Sequence, residues 1–449
     1  AQQTLAFAAT TGGETRAHRV RESAVPRRRD VDHHRAGDGC RRTRPAQHQS
    51  IAGLDVQRLF EAQLGIVGAG MMGAGIAYVQ ASRGISTILK DVSQDKADAG
   101  KAYSAKLTQA RVDKGVGYVH AEVDKLLGKG RISRDRANRV KALVTGSTDK
   151  AGFSDAEFVI EAVFEEIKIK KQVLADVEAV VSPDCTLATN TSSLSITEMA
   201  ADLLHPGRVV GFHFFNPVAV MPLLEIIKGE STDDATLATA FATGKKLKKT
   251  TILAKDSPSF IANRLLGRFM GEVGRIVDEG TPLEVADRAF AGFAPMPPFV
   301  LVGMVGPAIA LHNNESLNGA FPDRFYVSET LRRLVAAGKP GFYLYPEGKS
   351  GRPVLDPEVV GLMETTANPV VLDIDQVREQ VLSALAQEAR LMLDEGVVEA
   401  PMDIDLAMIT GAGFAFWNGG LTPLLDRTGI SQKVNGKPFL PPGAATVPA

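Results

Sequence analysis

The chain has 449 residues, of which 44% are hydrophobic, so it can build the cores of two or three domains. Its formal net charge of −1 argues against nucleic acid or an anionic membrane as a general partner. The two cysteines, Cys40 and Cys185, exclude a disulfide framework and lack metal-ligand spacing, and no apolar run approaches the roughly 18 residues of a membrane span. We therefore expect a soluble, cytoplasmic protein without a metal site.

Residues 1–61 differ in composition from the rest of the chain. The first 50 residues contain ten arginines, no lysine and half of the histidines, without a sustained apolar period. A nucleic-acid-binding arm and a mitochondrial presequence are two interpretations, but acids such as Glu14 and Asp30 argue against a presequence. We predict a disordered, arginine-rich segment and assign no function to it.

The stretch 64–91 has the pattern of a βαβ unit. An apolar run at 64–67 is followed by Gly68, Gly70 and Gly73 in the spacing G-x-G-x-x-G, a helix to about residue 83, a second apolar run at 85–89, and Asp91. Such glycines allow a sharp turn and the close approach of a pyrophosphate to the helix N-terminus. An acid at this distance binds ribose hydroxyls and favours NAD over NADP, although Lys90 beside it weakens that preference. A tight strand–helix turn without a ligand is the alternative.

Residues 93–141 form an insertion that is far longer than a usual strand–helix connection. The segment is charged, rich in lysine and helical in pattern, which predicts a helical hairpin projecting from the sheet. The hairpin is either a spacer or a clamp on an anionic substrate.

Further strand-like runs occur at 158–163, 186–189, 209–215 and 223–227, and helical stretches such as 167–181 separate the earlier ones. Strands that alternate with helices predict a Rossmann-like, doubly wound parallel sheet. Ligands of such a sheet bind at the carboxyl ends of its strands. The polar residues expected at those ends include Glu161, Glu165, Asn190, Ser192 and His213.

From about residue 256 the pattern is helical, with predicted helices at 260–279, 283–290, 299–313 and 322–337. An internal repeat is indicated, because the sequence at 275–280 resembles that at 390–396 and an acid-rich helix start follows each copy. The predicted fold is therefore an α/β domain followed by all-helical domains with an internal repeat. Its expected divisions are the disordered segment 1–61, an NAD-binding domain at 62–255, a helical substrate or dimerisation domain at 256–345, and a second helical repeat with a C-terminal tail at 346–449.

His213 and Glu225 are the candidate pair for proton transfer. Both lie in apolar strand-like runs, where a carboxylate costs several kcal/mol unless it is paired. An imidazole on the neighbouring strand is within reach, and a carboxylate at one ring nitrogen fixes the tautomer and leaves the other nitrogen to take a proton. A purely structural histidine–glutamate pair is the alternative.

Two further polar residues are candidates for contacting a substrate. Ser192 follows a strand end, where it would either help to start the next helix or place its hydroxyl beside a nicotinamide. No G-x-S-x-G elbow surrounds it, so we do not expect a nucleophilic serine. Asn263 lies near the start of the first helix after the domain boundary, where an ordinary solvent-facing residue is the alternative.

Several segments in this order resemble the NAD-dependent L-3-hydroxyacyl-CoA dehydrogenases, in particular the dehydrogenase part of bacterial fatty-acid oxidation complex alpha subunits. They are VGAGMMGAGIA, VIEAVFE, NTSSLSI, GFHFFNPV with MPLLEII, and FIANRLL. The resemblance implies that His213 is the general base, that Glu225 is its acid partner, and that Ser192 and Asn263 lie at the substrate. It also implies that the hairpin at 93–141 folds over coenzyme A. The residues that we assign to the cofactor are Gly68, Gly70, Met71, Met72, Gly73, Asp91, Glu165, Lys170 and Asn190.

The activity implied by this resemblance is oxidation of L-3-hydroxyacyl-CoA to 3-ketoacyl-CoA with NAD in fatty-acid β-oxidation. The alternatives are a short-chain 3-hydroxybutyryl-CoA dehydrogenase and a catalytically silent NAD-binding subunit. Multifunctional relatives carry an enoyl-CoA hydratase domain upstream, and we expect no hydratase activity from this chain. The expected partners are an acyl-CoA substrate and either further copies of the chain or a fatty-acid oxidation complex with a thiolase subunit.

Two departures from the family pattern affect turns. Ser259 stands between Pro258 and Phe260, where the family usually has glycine, and Pro297 also stands where glycine is common. We expect an altered turn at Ser259 and a shifted helix start after Pro297.

Overall fold

The computed structural model describes residues 63–91, 101–293, 296–346, 351–363 and 366–445. The segment 1–61, predicted to be disordered, lies outside these residues, as does the start of the lysine-rich insertion. No helix within the described ranges has both the length and the apolar character needed to cross a membrane.

An eight-stranded sheet forms the first part of the fold. Its strands, in chain order, are β1 (Gln63–Val67), β2 (Ser86–Lys90), β3 (Val144–Gly146), β4 (Ala156–Glu161), β5 (Thr186–Thr189), β6 (Val209–Phe214), β7 (Leu223–Lys228) and β8 (Thr250–Lys255). They are arranged in the order β3-β2-β1-β4-β5-β6-β7-β8. The Rossmann-like fold is therefore confirmed, since six strands follow the order typical of a dinucleotide-binding sheet.

The sheet is not parallel throughout. Strand β7 runs antiparallel to β6, and β8 pairs parallel to β7, so the last two strands oppose the others. The reversal follows from the connection between β6 and β7, which is a short loop without the helical crossover that a parallel pair requires. Strands β3 and β8 were not predicted; β3 is only three residues long.

Helices cover both faces of the sheet. They are α1 (Met71–Ser82), α2 (Lys101–Gly128), α3 (Arg134–Ala142), α4 (Ile167–Glu178), α5 (Ile196–Ala200) and α6 (Asp234–Lys246). The insertion contains the pair α2 and α3, and Ser133 caps the second helix by accepting a hydrogen bond from the Arg136 amide. The side chains of β6 alternate, so Phe212 and Phe214 pack in the core under α1 and α6. Phe215, directly after the strand, packs in the core shared with the helical region.

The rest of the described chain is helical apart from a two-stranded ribbon, β9 (Tyr343–Leu344) with β10 (Val354–Leu355). Its helices are α7 (Ala262–Asp278), α8 (Leu283–Ala289), α9 (Pro298–Val305), α10 (Pro307–Ala320), α11 (Glu329–Ala336), α12 (Pro357–Val360), α13 (Ile374–Asp394), α14 (Pro401–Gly411), α15 (Leu421–Arg427) and α16 (Ile430–Asn435).

Two helix predictions in this region were wrong in extent. The helix predicted at 299–313 is broken at Gly306, whose φ of 102° is not helical, and Pro307 starts the next helix. The helix predicted at 322–337 begins only at Glu329, because the Ser328 hydroxyl caps it there by accepting from the Leu331 amide.

The two copies of the sequence repeat pack against each other through their long helices, α7 and α13. Arg264 of α7 is fully buried, and it bonds Glu388 of α13 at 2.6 Å and Glu395 at 2.7 Å. The acids that follow each long helix also have matching positions. Asp287 accepts a hydrogen bond from the amide that starts α9, and Asp405 accepts one from Thr422 at the start of α15.

Candidate active site

The glycine turn between β1 and α1 leaves no room for side chains at two positions. Gly68 has a φ of 112°, and an added Cβ would lie 2.3 Å from the carbonyl oxygen of Ala162. A Cβ on Gly73 would lie 1.7 Å from the Gly68 carbonyl oxygen. Gly70, by contrast, faces open space, since nothing lies within 4 Å of its Cβ position. The turn is therefore tight on the protein side and open on the side from which a ligand would approach.

The N-terminus of α1 suits an anionic ligand. No side chain caps this helix, and its first turn contains no acid that would compete for the amide groups. Met71 is exposed and Met72 half-buried at the same helix start, and Asp91 follows directly on β2, the strand next to β1. These residues fit a dinucleotide whose pyrophosphate binds at the helix and whose ribose reaches the acid.

Lys170, in the helix α4 that follows β4, belongs to a buried ion-pair network. Its side chain is 1% exposed, and its Nζ lies 2.9 Å from Glu161 and 3.3 Å from Glu165. Lys170 was assigned to the cofactor from the sequence. Its ammonium group contacts these two carboxylates, so it helps to hold the Glu165 side chain in position. Glu161 was predicted at a strand end, but its ion pair with Lys170 was not predicted. The available signal was a lysine nine residues further along, on the following helix.

Glu165 binds the segment that follows β5. Its Oε1 accepts hydrogen bonds from the Thr191 hydroxyl at 2.7 Å and from both the amide and the hydroxyl of Ser192, at 2.7 and 3.0 Å. Burial alone would raise the pKa of Glu165, but the Lys170 ammonium and these hydrogen bonds hold it below its usual range. A charged Glu165 therefore fixes Ser192 at the carboxyl end of its strand.

Asn190 directly follows β5 and links the ends of the two strands that flank it, β4 and β6. Its Oδ1 accepts a hydrogen bond of 2.9 Å from the amide of Phe214 in β6, and its own amide donates to the Glu161 carbonyl in β4. The residue that follows β5 is therefore held against the strand that carries His213.

His213 and Glu225 are directly opposite each other in the antiparallel pair β6–β7. The Nδ1 of His213 lies 2.7 Å from Oε2 of Glu225, and the two residues are 4% and 0% exposed. The rings of Phe215 and Phe260 lie beside the imidazole, with centroid distances of 4.5 and 5.6 Å. Across the described residues, no hydrogen bond reaches Nε2. Glu225 is therefore paired with His213, as the cost of burying a carboxylate predicts. The contact uses Nδ1 of the imidazole and leaves Nε2 able to accept a proton.

The second oxygen of Glu225 contacts the helical region. Oε1 accepts a hydrogen bond of 2.9 Å from the amide of Ala262, the first residue of α7. Asn263 comes next in that helix; it is half-buried, and its carbonyl accepts a bond of 3.5 Å from Asn313. Glu225 therefore joins the imidazole to the helix start that carries Asn263.

The two family departures have different structural outcomes. Ser259 and Phe260 adopt φ values of 60° and 52°, the left-handed region that costs a non-glycine residue about 1–2 kcal/mol. The turn before α7 therefore has a conformation that favours glycine although Ser259 occupies it, and the Ser259 hydroxyl donates to Asn313. Pro297 precedes the first residue of α9 in an extended conformation that proline readily adopts.

A dinucleotide-binding turn and a buried imidazole–carboxylate pair in one mostly parallel sheet form the arrangement expected of nicotinamide-dependent dehydrogenases. Residues 63–257 match the family model described as 3-hydroxyacyl-CoA dehydrogenase, NAD binding domain, and residues 260–343 match its C-terminal domain. The chain belongs to the 3-hydroxyacyl-CoA dehydrogenase family. The resemblance drawn from the sequence motifs and the assignment of NAD as cofactor are thereby confirmed.

Individual relatives agree with this assignment. A fatty acid oxidation complex subunit alpha from Psychrobacter arcticus is 32% identical over 380 residues, which are 82% of this chain and 51% of the relative. The chain thus spans about half the length of the curated relatives that it matches. The crystal structure of (S)-3-hydroxybutyryl-CoA dehydrogenase from Ralstonia eutropha is 34% identical with a TM-score of 0.56, covering 62% of this chain and 94% of that one. The 3-hydroxybutyryl-CoA dehydrogenase from Escherichia coli, at 24% identity, has a TM-score of 0.67 over 85% of this chain and 97% of that one, and supports the fold alone.

Proposed function

We propose that this protein oxidises the 3-hydroxyl group of L-3-hydroxyacyl-CoA to a ketone, with NAD as the oxidant, in fatty-acid β-oxidation. The observation that carries this proposal is the buried contact of 2.7 Å between His213 and Glu225, which leaves Nε2 of the imidazole without a protein partner in the described chain. An imidazole in this state can accept a proton from a substrate hydroxyl.

In the proposed reaction, His213 acts as general base through Nε2. Its Nδ1–H donates to Glu225, which fixes the tautomer and stabilises the imidazolium that forms when the proton arrives. NAD held at the glycine turn between β1 and α1 would supply the acceptor for the hydride from C3 of the substrate. Glu225 is held in turn by the Ala262 amide, so the acceptor for Nδ1–H does not need to reorganise during proton transfer.

Ser192 and Asn263 are proposed to position the oxygen atoms of the substrate. Glu165 accepts hydrogen bonds from both the amide and the hydroxyl of Ser192. The hydroxyl would turn from Glu165 to donate to a substrate oxygen, while the amide bond to Glu165 keeps the residue in place. Asn263 follows Ala262, the residue whose amide is bound by Glu225, so its position is tied to that of the imidazole. The residues proposed to hold the cofactor are Gly68, Gly70, Met71, Met72, Gly73, Asp91, Glu165 and Asn190, with Lys170 acting through Glu165.

The central test replaces the proposed base. His213→Gln should fold and bind NADH as the wild type does, but reduce turnover by about 10²–10⁴-fold, because positioned proton transfer typically supplies that factor. The reverse reaction, reduction of acetoacetyl-CoA with NADH, gives a direct optical assay. His205→Gln is the matched control, since His205 is exposed. Equal turnover in His213→Gln and wild type would remove the histidine from the mechanism.

A shorter acyl chain is the second candidate substrate. The relative from Ralstonia eutropha is named (S)-3-hydroxybutyryl-CoA dehydrogenase and shares 34% of its residues with this chain. Comparing kcat/KM for the four-carbon substrate with that for longer 3-hydroxyacyl-CoA chains separates the two candidates. The absence of NADH formation with every chain length would instead favour an NAD-binding subunit without catalytic activity.

We further propose that the protein works in the cytoplasm, either as a homo-oligomer or in a fatty-acid oxidation complex with a thiolase. The support for a complex is that the curated relatives are named as its alpha subunit. Light scattering on the purified protein, alone and mixed with a thiolase subunit, distinguishes these assemblies.

A further inference from the structure

The backbone of the loop between β6 and β7, residues 215–222, is bound by a lysine side chain. Nζ of Lys249 donates one hydrogen bond to the carbonyl oxygen of Val218 and a second one, of 2.7 Å, to that of Met221. The same ammonium lies 5.8 Å from the ring centroid of Phe214, the neighbour of His213 in β6. Lys249 thus binds both the loop and the end of the strand that carries the proposed base.

The position of Lys249 is itself well defined. Its amide donates to the Gly244 carbonyl at the end of α6, and Thr250, the first residue of β8, donates to the Pro222 carbonyl at the end of the loop. Burial, together with the nearby charge of Arg83, lowers the pKa of Lys249 to about 8. Among the described residues no acid forms an ion pair with Lys249, and its half-buried ammonium donates to backbone carbonyls instead. Its donors therefore hold a specific piece of backbone.

The loop also contacts the cofactor-binding helix. Val218 is buried, and its side chain lies about as close as packing allows to Gly75 in α1, where an added Cβ would come within 3.1 Å of it. The loop therefore lies between α1, which begins at the glycine turn, and Lys249. Because the loop also joins the strands of His213 and Glu225, its position sets where the imidazole stands relative to α1.

We propose that Lys249 is a positioning residue for the reaction: by holding the carbonyls of Val218 and Met221, it fixes the loop 215–222 and thereby the placement of His213 against the bound cofactor. This inference rests on the proposed dehydrogenase function. Lys249 lies under the sheet face that bears Phe214, whereas His213 points to the opposite face, so the lysine acts only through the loop and the strand.

The test compares Lys249→Met, which keeps the apolar stem and removes the donors, with Lys245→Met on the exposed side of α6. Hydrogen exchange of the peptide covering 215–222 should accelerate by about tenfold in Lys249→Met, since the amides of Val220 and Met221 are bonded within this loop. The kcat for acetoacetyl-CoA reduction should fall by about tenfold, while KM for NADH changes by less than about twofold. Lys245→Met should match the wild type in all three measurements.

Each result bears on the inference. Unchanged loop exchange in a folded Lys249→Met protein, or a kcat equal to that of Lys245→Met, overturns it, and so does a fall in kcat matched by an equal loss of NADH affinity. If Lys249→Met does not fold, Val218→Ala tests the same loop from the α1 side and should show the same split between kcat and KM. A wild-type protein without turnover would instead refute the proposed function.

Discussion

Replacing Glu225 by glutamine separates the two tasks of this carboxylate. Both of its oxygens accept a hydrogen bond, Oε2 from His213 Nδ1–H and Oε1 from the Ala262 amide. Glutamine has the same shape but only one acceptor oxygen. If that oxygen faces Ala262, the amide nitrogen faces Nδ1 and forces the imidazole into the tautomer that carries its proton on Nε2. A histidine in that state cannot accept the substrate proton.

The expected magnitude follows from this geometry. Loss of a positioned base typically costs about 10²–10⁴-fold, so we expect kcat of Glu225→Gln to fall by about 10³-fold, or about 4 kcal/mol of barrier. If the oxygen turns towards His213 instead, the Ala262 amide remains buried without a partner, at a cost of about 1–3 kcal/mol in stability. Either orientation has a measurable consequence.

The assay follows NADH consumption with acetoacetyl-CoA, together with thermal unfolding of the same protein samples. Glu230→Gln is the matched control, because Glu230 is exposed just after β7. The proposed role of Glu225 is refuted if Glu225→Gln keeps turnover within about threefold of the control and also unfolds at the same temperature.

Three further predictions concern the cofactor turn and the helical region. Gly70→Ala should fold normally but bind NADH at least about tenfold more weakly. Gly73→Ala should also lower the melting temperature, because its Cβ would overlap the Gly68 carbonyl. Equal melting temperatures of the two variants would contradict this difference. Arg264→Met should destabilise the protein by about 3 kcal/mol in urea unfolding, since buried Glu388 loses its 2.6 Å partner and keeps only the Arg324 guanidinium at 3.7 Å. A loss below about 1 kcal/mol would show that the pair is dispensable. Burial raises the pKa of Asp405 to about 6, so its stabilising contribution is largest at low pH and is lost as the pH rises through that value. Wild type should therefore gain stability over Asp405→Asn as the pH is lowered from neutral to about 5, and a constant difference would argue against a raised pKa.

Local patterns predicted the parts of the fold that depend on neighbouring residues. The glycine spacing, the alanine-rich helix and the terminal acid predicted the β1–α1–β2 unit, and the predicted run at 186–189 coincides with β5. The pairing of His213 with Glu225 was also predictable, because a carboxylate in an apolar strand needs a partner and few were in reach.

Features that depend on distant neighbours were not predicted. Strand direction has no signature in side-chain alternation, so the reversal at β7 was missed. Arg264 and Glu388 are 124 residues apart, and nothing in either local sequence indicates that the two buried charges meet. The hydrogen bonds of Lys249 end on backbone carbonyls, which every residue has, so they carry no compositional signal at all.

The bridge made by Glu225 has a mechanical consequence. A single side chain, with one oxygen on the imidazole and the other on the first amide of α7, makes the alignment of the helical region part of the proposed proton-transfer geometry. Any rotation of α7 away from the sheet would pull the carboxylate from one of its two partners. Substitutions far out in the helices, including those in the second repeat that packs on α7, can therefore alter turnover without touching a residue that meets the substrate.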